Sequence, residues 1–484
     1  MKISFEQRRE LGFQYVLDLL APCSPYGAEL VRKPRFFAPR EREALEAEWA
    51  NVQAAIDGLS RFGAQYSRLR LLFMQVRDIR QTLRRCRETV LTEVELFEVK
   101  RFLLQLSLIA PLFAQICEGY GGIRFTEETD ALRLLDPEGQ RTAGFSISSA
   151  YSKALGVLRE EKSRLEARLR TADAAEREDL LNARRSLLAR EEAETLRVRA
   201  RLSEALRPHL DALEENARMI GALDFVLEKA SLARDRRAVR PRVSEGGAVF
   251  SDMVNPQLSD ALQSRGASFT PVSLEAAVGA TVITGANMGG KSVALKTLAL
   301  NLLLCQAGFF AFASRAETPL FDAFHILSGD LSDARGGLSS FGSEVVRIQQ
   351  ALSAVEAGEF LFVALDEPGR GTNPREGAAL VRSLTRHLAR AHAVTVVATH
   401  FGSVAACAAA HYQAAGLKLP PDAPPAEDRL AFIARHMNYG LVRVPADAPC
   451  PQEALTICRL LGLDARVTEA MRADLEAHRE GEIS

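Results

Sequence analysis

Residues Gly285 to Ser292 follow the pattern G-x-x-x-x-G-K-S, in which glycines precede a lysine and a hydroxyl side chain. Glycines let the backbone curl so that successive N–H groups point inward at an anion. The lysine of such a loop reaches the β- and γ-phosphates of a nucleotide, and the serine hydroxyl binds Mg²⁺. The spacing therefore predicts a nucleoside triphosphate site. Its predicted phosphate-binding residues are Gly285, Asn287, Met288, Gly289, Gly290, Lys291 and Ser292.

Two carboxylates, Asp366 and Glu367, directly follow the apolar run Leu361 to Leu365. One carboxylate at such a position can hold the magnesium shell through water, while the other accepts a proton from the attacking water. We therefore expect Asp366 and Ser292 to be the metal ligands and Glu367 to be the general base. His400, at the end of another apolar run, is predicted to sense the γ-phosphate.

These residues need strands to position them, and three apolar runs are the candidates: Ala280 to Thr284, Phe360 to Leu365 and Val394 to Thr399. Each run ends at a residue with predicted chemistry, as expected where ligands bind at the carboxyl ends of parallel strands. Residues 241–420 alternate such runs with helical segments, which predicts an α/β domain with a buried parallel sheet.

The rest of the chain is predicted to be mainly helical. Residues 1–122 carry apolar side chains at three- and four-residue spacing, which indicates an all-α core. Residues 123–240 begin with a turn-rich connector and continue with leucines at heptad-like intervals. They predict two long antiparallel helices with a kink at Pro208. This hairpin fits a solvated pair of mixed charge and a nucleic-acid-binding arm equally well. Residues 421–484 are predicted to be a helical segment after a proline-rich loop.

Composition limits the function classes. The chain has 484 residues, enough for two to four domains, and its 61 Lys and Arg nearly balance its 62 Asp and Glu. No overall basic field therefore indicates nucleic acid, although a local basic face remains open. The seven cysteines are scattered and never form C-x-x-C, which argues against a disulfide framework and a zinc site. No apolar run approaches the length of a membrane span, so we expect a soluble cytoplasmic protein.

Small polar residues also precede a predicted helix at 336–344, where Ser339 and Ser340 would form a second anion-binding helix start. Only 75 residues separate Lys291 from Asp366. That interval leaves little room for the additional helical subdomain of transporter ATPases. The spacing therefore disfavours a transporter subunit and favours the soluble, DNA-repair branch of the same ATPase class.

With these motifs together, the chain resembles the MutS family. The resemblance covers roughly residues 4–475 and is strong only in the ATPase part. It implies a mixed fold, with an all-α core and a long antiparallel helical hairpin (lever or clamp) followed by an α/β P-loop ATPase domain of the ABC type. The residues that carry it are Thr284 to Ser292, Leu338 to Phe341, Asp366 to Thr372 and Ala398 to Phe401.

The resemblance also implies ATP hydrolysis with Mg²⁺ in a homodimer, where Ser339 or Ser340 of one subunit meets the γ-phosphate held by Lys291 of the other. Residues 421–484 would brace that dimer. The chain departs from the family's pattern at Asn255, where a histidine is usual before the proline, and at Val293, where a threonine is usual. By the same resemblance, we expect this sequence to lack the mismatch-reading and connector domains.

Two functions remain open at this point. The first is an ATP-gated clamp on duplex or branched DNA, related to mismatch repair or recombination but without a mismatch-reading domain. Arg184, Arg185, Arg234, Arg236 and Arg237 are its candidate phosphate contacts. The alternative is the ATPase of a factor that reactivates a cobalamin-dependent aminomutase, with a client protein in place of DNA.

Overall fold

The computed structural model describes residues 3–142, 146–286, 289–327, 340–418, 429–451 and 453–481. Helices and two β-sheets are both present, so the predicted mixed class is confirmed at that level. The chain divides into two compact units. The first comprises Met1–Leu20, Arg35–Trp49 and Ser231–Ser484, and the second comprises Ala21–Pro34 and Ala50–Ala230.

The helices are numbered in chain order. Those up to residue 235 are α1 Phe5–Leu11, α2 Phe13–Asp18, α3 Pro25–Arg32, α4 Arg42–Arg61, α5 Gly63–Phe73, α6 Arg80–Glu88, α7 Glu93–Ala114, α8 Thr129–Leu135, α9 Lys153–Thr171, α10 Ala174–Leu206 and α11 Leu210–Asp235. Those that follow are α12 Pro256–Gln263, α13 Lys291–Gln306, α14 Ser340–Glu356, α15 Pro374–Leu388, α16 Arg429–His436, α17 Ala454–Leu461 and α18 Ala465–Gly481.

The strands all lie in the first unit. They are β1 Arg242–Val243, β2 Gly247–Met253, β3 Val272–Ala277, β4 Gly279–Thr284, β5 Arg315–Thr318, β6 Ala323–Leu327, β7 Leu361–Asp366, β8 Ala393–Ala398, β9 Ala410–Leu417 and β10 Met437–Val444. A four-stranded sheet has the order β1-β5-β2-β3, and a six-stranded sheet has the order β10-β9-β4-β8-β7-β6.

In the second unit, α9 and α10 run antiparallel. The Ser152 side chain caps α9, and Asp173 caps α10 where the chain reverses. Glu191 of α10 binds Arg159 and Lys162 of α9 at 3.1 and 2.6 Å. After Leu206 the helix gives way to a 3-10 turn at Arg207–His209, which contains Pro208, and α11 follows. None of the described helices has an apolar stretch long enough to cross a membrane.

The six-stranded sheet positions the predicted chemistry. Its strands β4, β8 and β7 are parallel neighbours, and each matches one of the three apolar runs to within one residue at either end. The register pairs Ala398 with both Ile283 and Asp366, so these strands end level with one another. The β4–α13 turn and the two carboxylates at the end of β7 consequently lie at the same edge of the sheet.

Strand β10 corrects the expectation that residues 421–484 are helical. It is an edge strand that pairs antiparallel with β9, while α16, α17 and α18 account for the other described elements of this segment. The register shifts between Asn438 and Leu441. An irregularity of this kind breaks the alternation of apolar and polar residues by which a strand is recognised in a sequence.

Candidate functional site

The turn between β4 and α13 requires glycine at two places. Gly285 has φ +147° and Gly290 has φ +86°, both in the region that disfavours side chains. A Cβ at Gly285 would also lie 2.9 Å from the Cβ of Ala414. The backbone therefore takes this path only with these residues. Asn287 and Met288, predicted to bind phosphate, lie outside the described residues.

Lys291 is buried at the start of α13, with 3% exposure. Its Nζ donates hydrogen bonds to the carbonyl oxygens of Gly285 (2.9 Å) and Ala286 (3.0 Å). Oε1 of Glu367 lies 3.6 Å from the same Nζ, within ion-pair distance. The Lys291 ammonium group is thus hydrogen-bonded to the carbonyls of its own loop and lies beside Glu367, the predicted general base.

Ser292 and Asp366 are in direct contact, since the Ser292 hydroxyl donates a 2.8 Å hydrogen bond to Oδ1 of Asp366. Burial raises the pKa of Asp366, while the hydrogen bond from Ser292 and the nearby charge of Lys296 act in the opposite direction. A hydroxyl beside a carboxylate suits Mg²⁺, which commonly takes one or two protein oxygens and completes its shell with water and phosphate oxygens. The predicted pair of metal ligands is therefore brought together.

Glu367 has a left-handed backbone, with φ +49°. Its amide donates to the carbonyl of Ala398 on β8 (2.8 Å), and Nη1 of Arg370 lies 3.8 Å from its Oε2. A non-glycine residue in this region is strained by on the order of 1 kcal/mol and persists only where its surroundings hold it. Such strain often marks a functional position, and nothing in the sequence predicted it.

A cavity of about 380 Å³ lies against the second half of the turn. Tyr439 of β10 closes one side, because a Cβ on Gly290 would come within 3.0 Å of its ring. Glycine backbone, an ammonium group and a hydroxyl group are the donors that phosphate groups need. The lining residues are Gly289, Gly290, Lys291, Ser292, Val293, Glu367, Arg370 and Tyr439.

His400 lies elsewhere on the turn. Its exposed side chain lines a second cavity, of about 710 Å³, together with Gly285 and Ala286. The structure therefore places His400 beside the first half of the turn, and His400 is not among the described residues that line the cavity with Ser292 and Glu367. Ser339 lies outside the described residues.

The position of Ser340 is known only through its backbone, which starts α14. Its side chain is not among those described.

Two contacts at this site were not predicted from the sequence. Nε2 of His411 lies 2.7 Å from the hydroxyl of Thr284, the last residue of β4. Oε1 of Glu344 accepts a 2.8 Å hydrogen bond from the amide of Gly369. Glu344 stands one helical turn after Ser340, which is a signal that it shares a helix face with the predicted serine. For His411 the sequence holds no such signal.

Together, these features define an α/β domain with a glycine-rich strand–turn–helix and an acidic pair at the carboxyl ends of parallel strands. Comparison with known proteins adds the family. The profile of MutS domain V matches residues 281–442. Over these residues the chain is similar to the MutS family.

Its relatives include proteins of two names. The DNA mismatch repair protein MutS of Thermus thermophilus is 32% identical over 314 residues, which is 64% of this chain and 36% of that protein. Endonuclease MutS2 of Latilactobacillus sakei is 33% identical over 224 residues, 46% of this chain and 28% of that protein. The chain thus matches about a third of the length of these curated relatives.

Proposed function

We propose that this protein is a MutS-type ATPase that binds ATP and Mg²⁺ at the β4–α13 turn and hydrolyses the γ-phosphate bond. The observation that carries the proposal is the meeting of Ser292 with Asp366 and of Lys291 with Glu367 at one edge of the sheet. These two contacts unite residues 74 and 76 positions apart in the chain.

Each of the four side chains has a role in this proposal. Lys291 exchanges the carbonyls of Gly285 and Ala286 for phosphate oxygens. Ser292 and Asp366 hold Mg²⁺, which supplies positive charge at the phosphate oxygens when bound. Glu367 accepts a proton from the water that attacks the γ-phosphate.

The homodimer is part of the same proposal. Helix α14 starts at Ser340 and exposes two apolar side chains, Val345 (41%) and Val346 (47%), in its next turn. A second copy of the chain that covers these valines would bring Ser339 or Ser340 towards the ATP held by the first copy. The sites would then be composite, and hydrolysis would be coupled to movement of the α9–α10 hairpin.

We also propose that the client is DNA, which is supported by the mismatch-repair and endonuclease names of the relatives. Residues 153–206 of the hairpin carry thirteen Lys and Arg against eleven Asp and Glu, so the affinity would come from local contacts. Arg236 is a poor candidate, because both ends of its guanidinium group bind Asp260, at 2.5 and 2.6 Å. Arg237 is exposed and remains a candidate.

No contact among the described residues favours the aminomutase client over DNA, and that alternative stays a prediction from sequence.

Phosphate release by the purified chain tests the hydrolysis. We expect turnover with Mg²⁺ and ATP that is lost with EDTA and in Lys291→Ala, whereas Lys418→Ala, a matched change at an exposed lysine, behaves as wild type. Absence of Mg²⁺-dependent turnover in the wild type would refute an ATPase.

Mixed dimers test the composite site. Lys291→Ala and the double variant Ser339→Ala/Ser340→Ala should each be inactive alone. Mixed together they should regain turnover, because one of the two sites in a mixed dimer keeps both Lys291 and the serines. No recovery in dimers shown to have exchanged subunits would contradict sites built from two chains.

The DNA proposal is tested by anisotropy of labelled homoduplex, mismatched and junction DNA at two salt concentrations. Binding that weakens steeply with salt is expected. An absence of binding at the lower salt concentration would refute DNA as the client and would leave the ATPase proposal intact.

A further inference from the structure

A side chain of α14, that of Glu344, binds the loop that follows Glu367. Oε1 of Glu344 accepts a 2.8 Å hydrogen bond from the amide of Gly369. Glu344 lies one turn into α14, and Gly369 lies two residues after Glu367. This bond therefore connects the helix that starts at Ser340 with the segment that carries the proposed general base.

Helix α14 is a firm anchor for that bond. Ile348, one turn after Glu344, is 7% exposed and belongs to the same apolar cluster as Val363 and Leu365 of β7. Leu352 packs against the same cluster. Because β7 leads directly into Glu367, both α14 and the proposed general base are attached to the same apolar cluster.

Two other contacts define the path of the loop. On the side of β8, the Glu367 amide donates to Ala398. On the side of α15, Gly369 and Gly377 approach so closely that a Cβ on Gly377 would lie 2.7 Å from the carbonyl oxygen of Gly369. Glu344 supplies the contact on the third side, towards α14.

The chemistry of the Glu344 contact makes it costly to lose. Burial raises the pKa of Glu344, and the amide of Gly369 acts in the opposite direction. A partly buried amide that loses its acceptor bears its desolvation cost without compensation.

We infer that Glu344 is a positioning residue for hydrolysis, which holds the Glu367–Gly369 backbone against α14 and so keeps Glu367 in its strained conformation beside Lys291. This role rests on the ATPase proposed above. Glu344 acts through Gly369 and does not itself touch the nucleotide. Glu344 thereby couples the position of the start of α14 to the position of Glu367 within one subunit.

The test compares Glu344→Ala with Glu344→Gln, whose amide oxygen can still accept from Gly369. Glu356→Ala, at the exposed end of the same helix, is the matched control. We measure kcat, the Kd for a fluorescent ATP analogue, and hydrogen–deuterium exchange of residues 366–373. Glu344→Ala should lower kcat by roughly three- to tenfold, the effect of one hydrogen bond, with Kd unchanged.

Exchange of residues 366–373 should be faster in Glu344→Ala. Glu344→Gln should restore both kcat and protection to near the wild-type values, and Glu356→Ala should alter neither. A wild-type kcat in Glu344→Ala would overturn the inference. So would a glutamine variant as slow as the alanine variant, because the charge rather than the hydrogen bond would then matter.

The exchange readout separates the two proposals. If the wild type hydrolyses ATP but exchange and kcat are equal in all variants, only the role of Glu344 fails. If the wild type shows no turnover, the ATPase proposal fails and takes the catalytic role of Glu344 with it, whatever the exchange shows about the loop.

Discussion

Thr284 and His411 are joined inside the six-stranded sheet, with the hydroxyl of Thr284 2.7 Å from Nε2 of the imidazole. Nδ1 of the same ring lies 2.8 Å from the carbonyl oxygen of Pro445. A carbonyl only accepts, so Nδ1 carries the hydrogen and Nε2 accepts from Thr284 in the neutral ring. His411 thereby links the residue before the glycine turn with the segment after β10.

Replacing His411 with phenylalanine keeps a ring but removes both bonds and leaves the buried Thr284 hydroxyl without an acceptor. We expect a loss of about 1 to 3 kcal/mol in the free energy of unfolding. ATP should also bind more weakly, because Thr284 positions Gly285. Urea unfolding and ATP titration measure both quantities. The control is His387→Phe on the exposed face of α15, and equal stability of the two variants would contradict the structural role of His411.

Glu367→Gln removes the proposed base and the charge that faces Lys291 at 3.6 Å. Turnover should fall by at least about 100-fold, the usual contribution of a general base. Affinity for ATP should be retained or increased, because Lys291 loses a competing partner. Single-turnover kinetics, ATP titration and sedimentation with Mg²⁺ and ATP should show a stable dimer that turns over slowly. Wild-type turnover would remove Glu367 from the role of base, and Glu359→Gln provides the control.

Lys100 and Asp136 form a buried ion pair in the second unit, with Nζ and Oδ1 3.1 Å apart and both side chains 6% exposed. Burial alone would raise the pKa of Asp136, but the amide of Arg141 and the ammonium of Lys100 hold it below its ordinary value. Lys100→Met should cost about 3 kcal/mol of unfolding free energy, because it leaves a buried carboxylate without its cation.

Adding Asp136→Asn to Lys100→Met should recover part of that loss, since the uncompensated charge is removed as well. Urea unfolding of the single and double variants measures the difference. If the double variant is no more stable than Lys100→Met, the loss does not come from the stranded charge.

Asp224 makes stability depend on pH. Burial raises its pKa above the ordinary 3.8, with the negative charge of Glu228 adding to the effect, while hydrogen bonds from Ser24 and Cys23 act in the opposite direction. The folded state therefore binds the proton more tightly than the unfolded state. This contribution to stability is complete below pH 3.8 and is lost as pH rises through the raised value.

Asp224→Asn should flatten this dependence. It should also lower the overall stability by about 1 kcal/mol, because the Cys23 amide loses its acceptor. Urea unfolding at several pH values from 4 to 7 measures the slope for both proteins. A variant with the wild-type slope would show that another group causes it.

The site could be predicted from the sequence where a phosphate- or metal-binding side chain follows an apolar run that forms a strand. Ser292 and Asp366 meet because β4 and β7 run parallel on either side of β8 and end level with it, and the apolar runs alone indicate such strands. The left-handed backbone of Glu367 was not predictable, since it results from tertiary contacts on several sides. The register shift in β10 interrupts the alternation of apolar and polar residues, so the sequence did not predict this strand or the position of Tyr439 beside the turn.

The membership of the first compact unit has a consequence for synthesis. Its first segments, Met1–Leu20 and Arg35–Trp49, share that unit with Ser231–Ser484. The Phe37 amide donates to the Gln306 carbonyl, and Glu10 pairs with Lys296. During synthesis these two segments cannot pack in their final positions until residues of Ser231–Ser484 have left the ribosome. The second unit, whose residues end at Ala230, can be completed first, so any need for a chaperone during synthesis falls on these two segments.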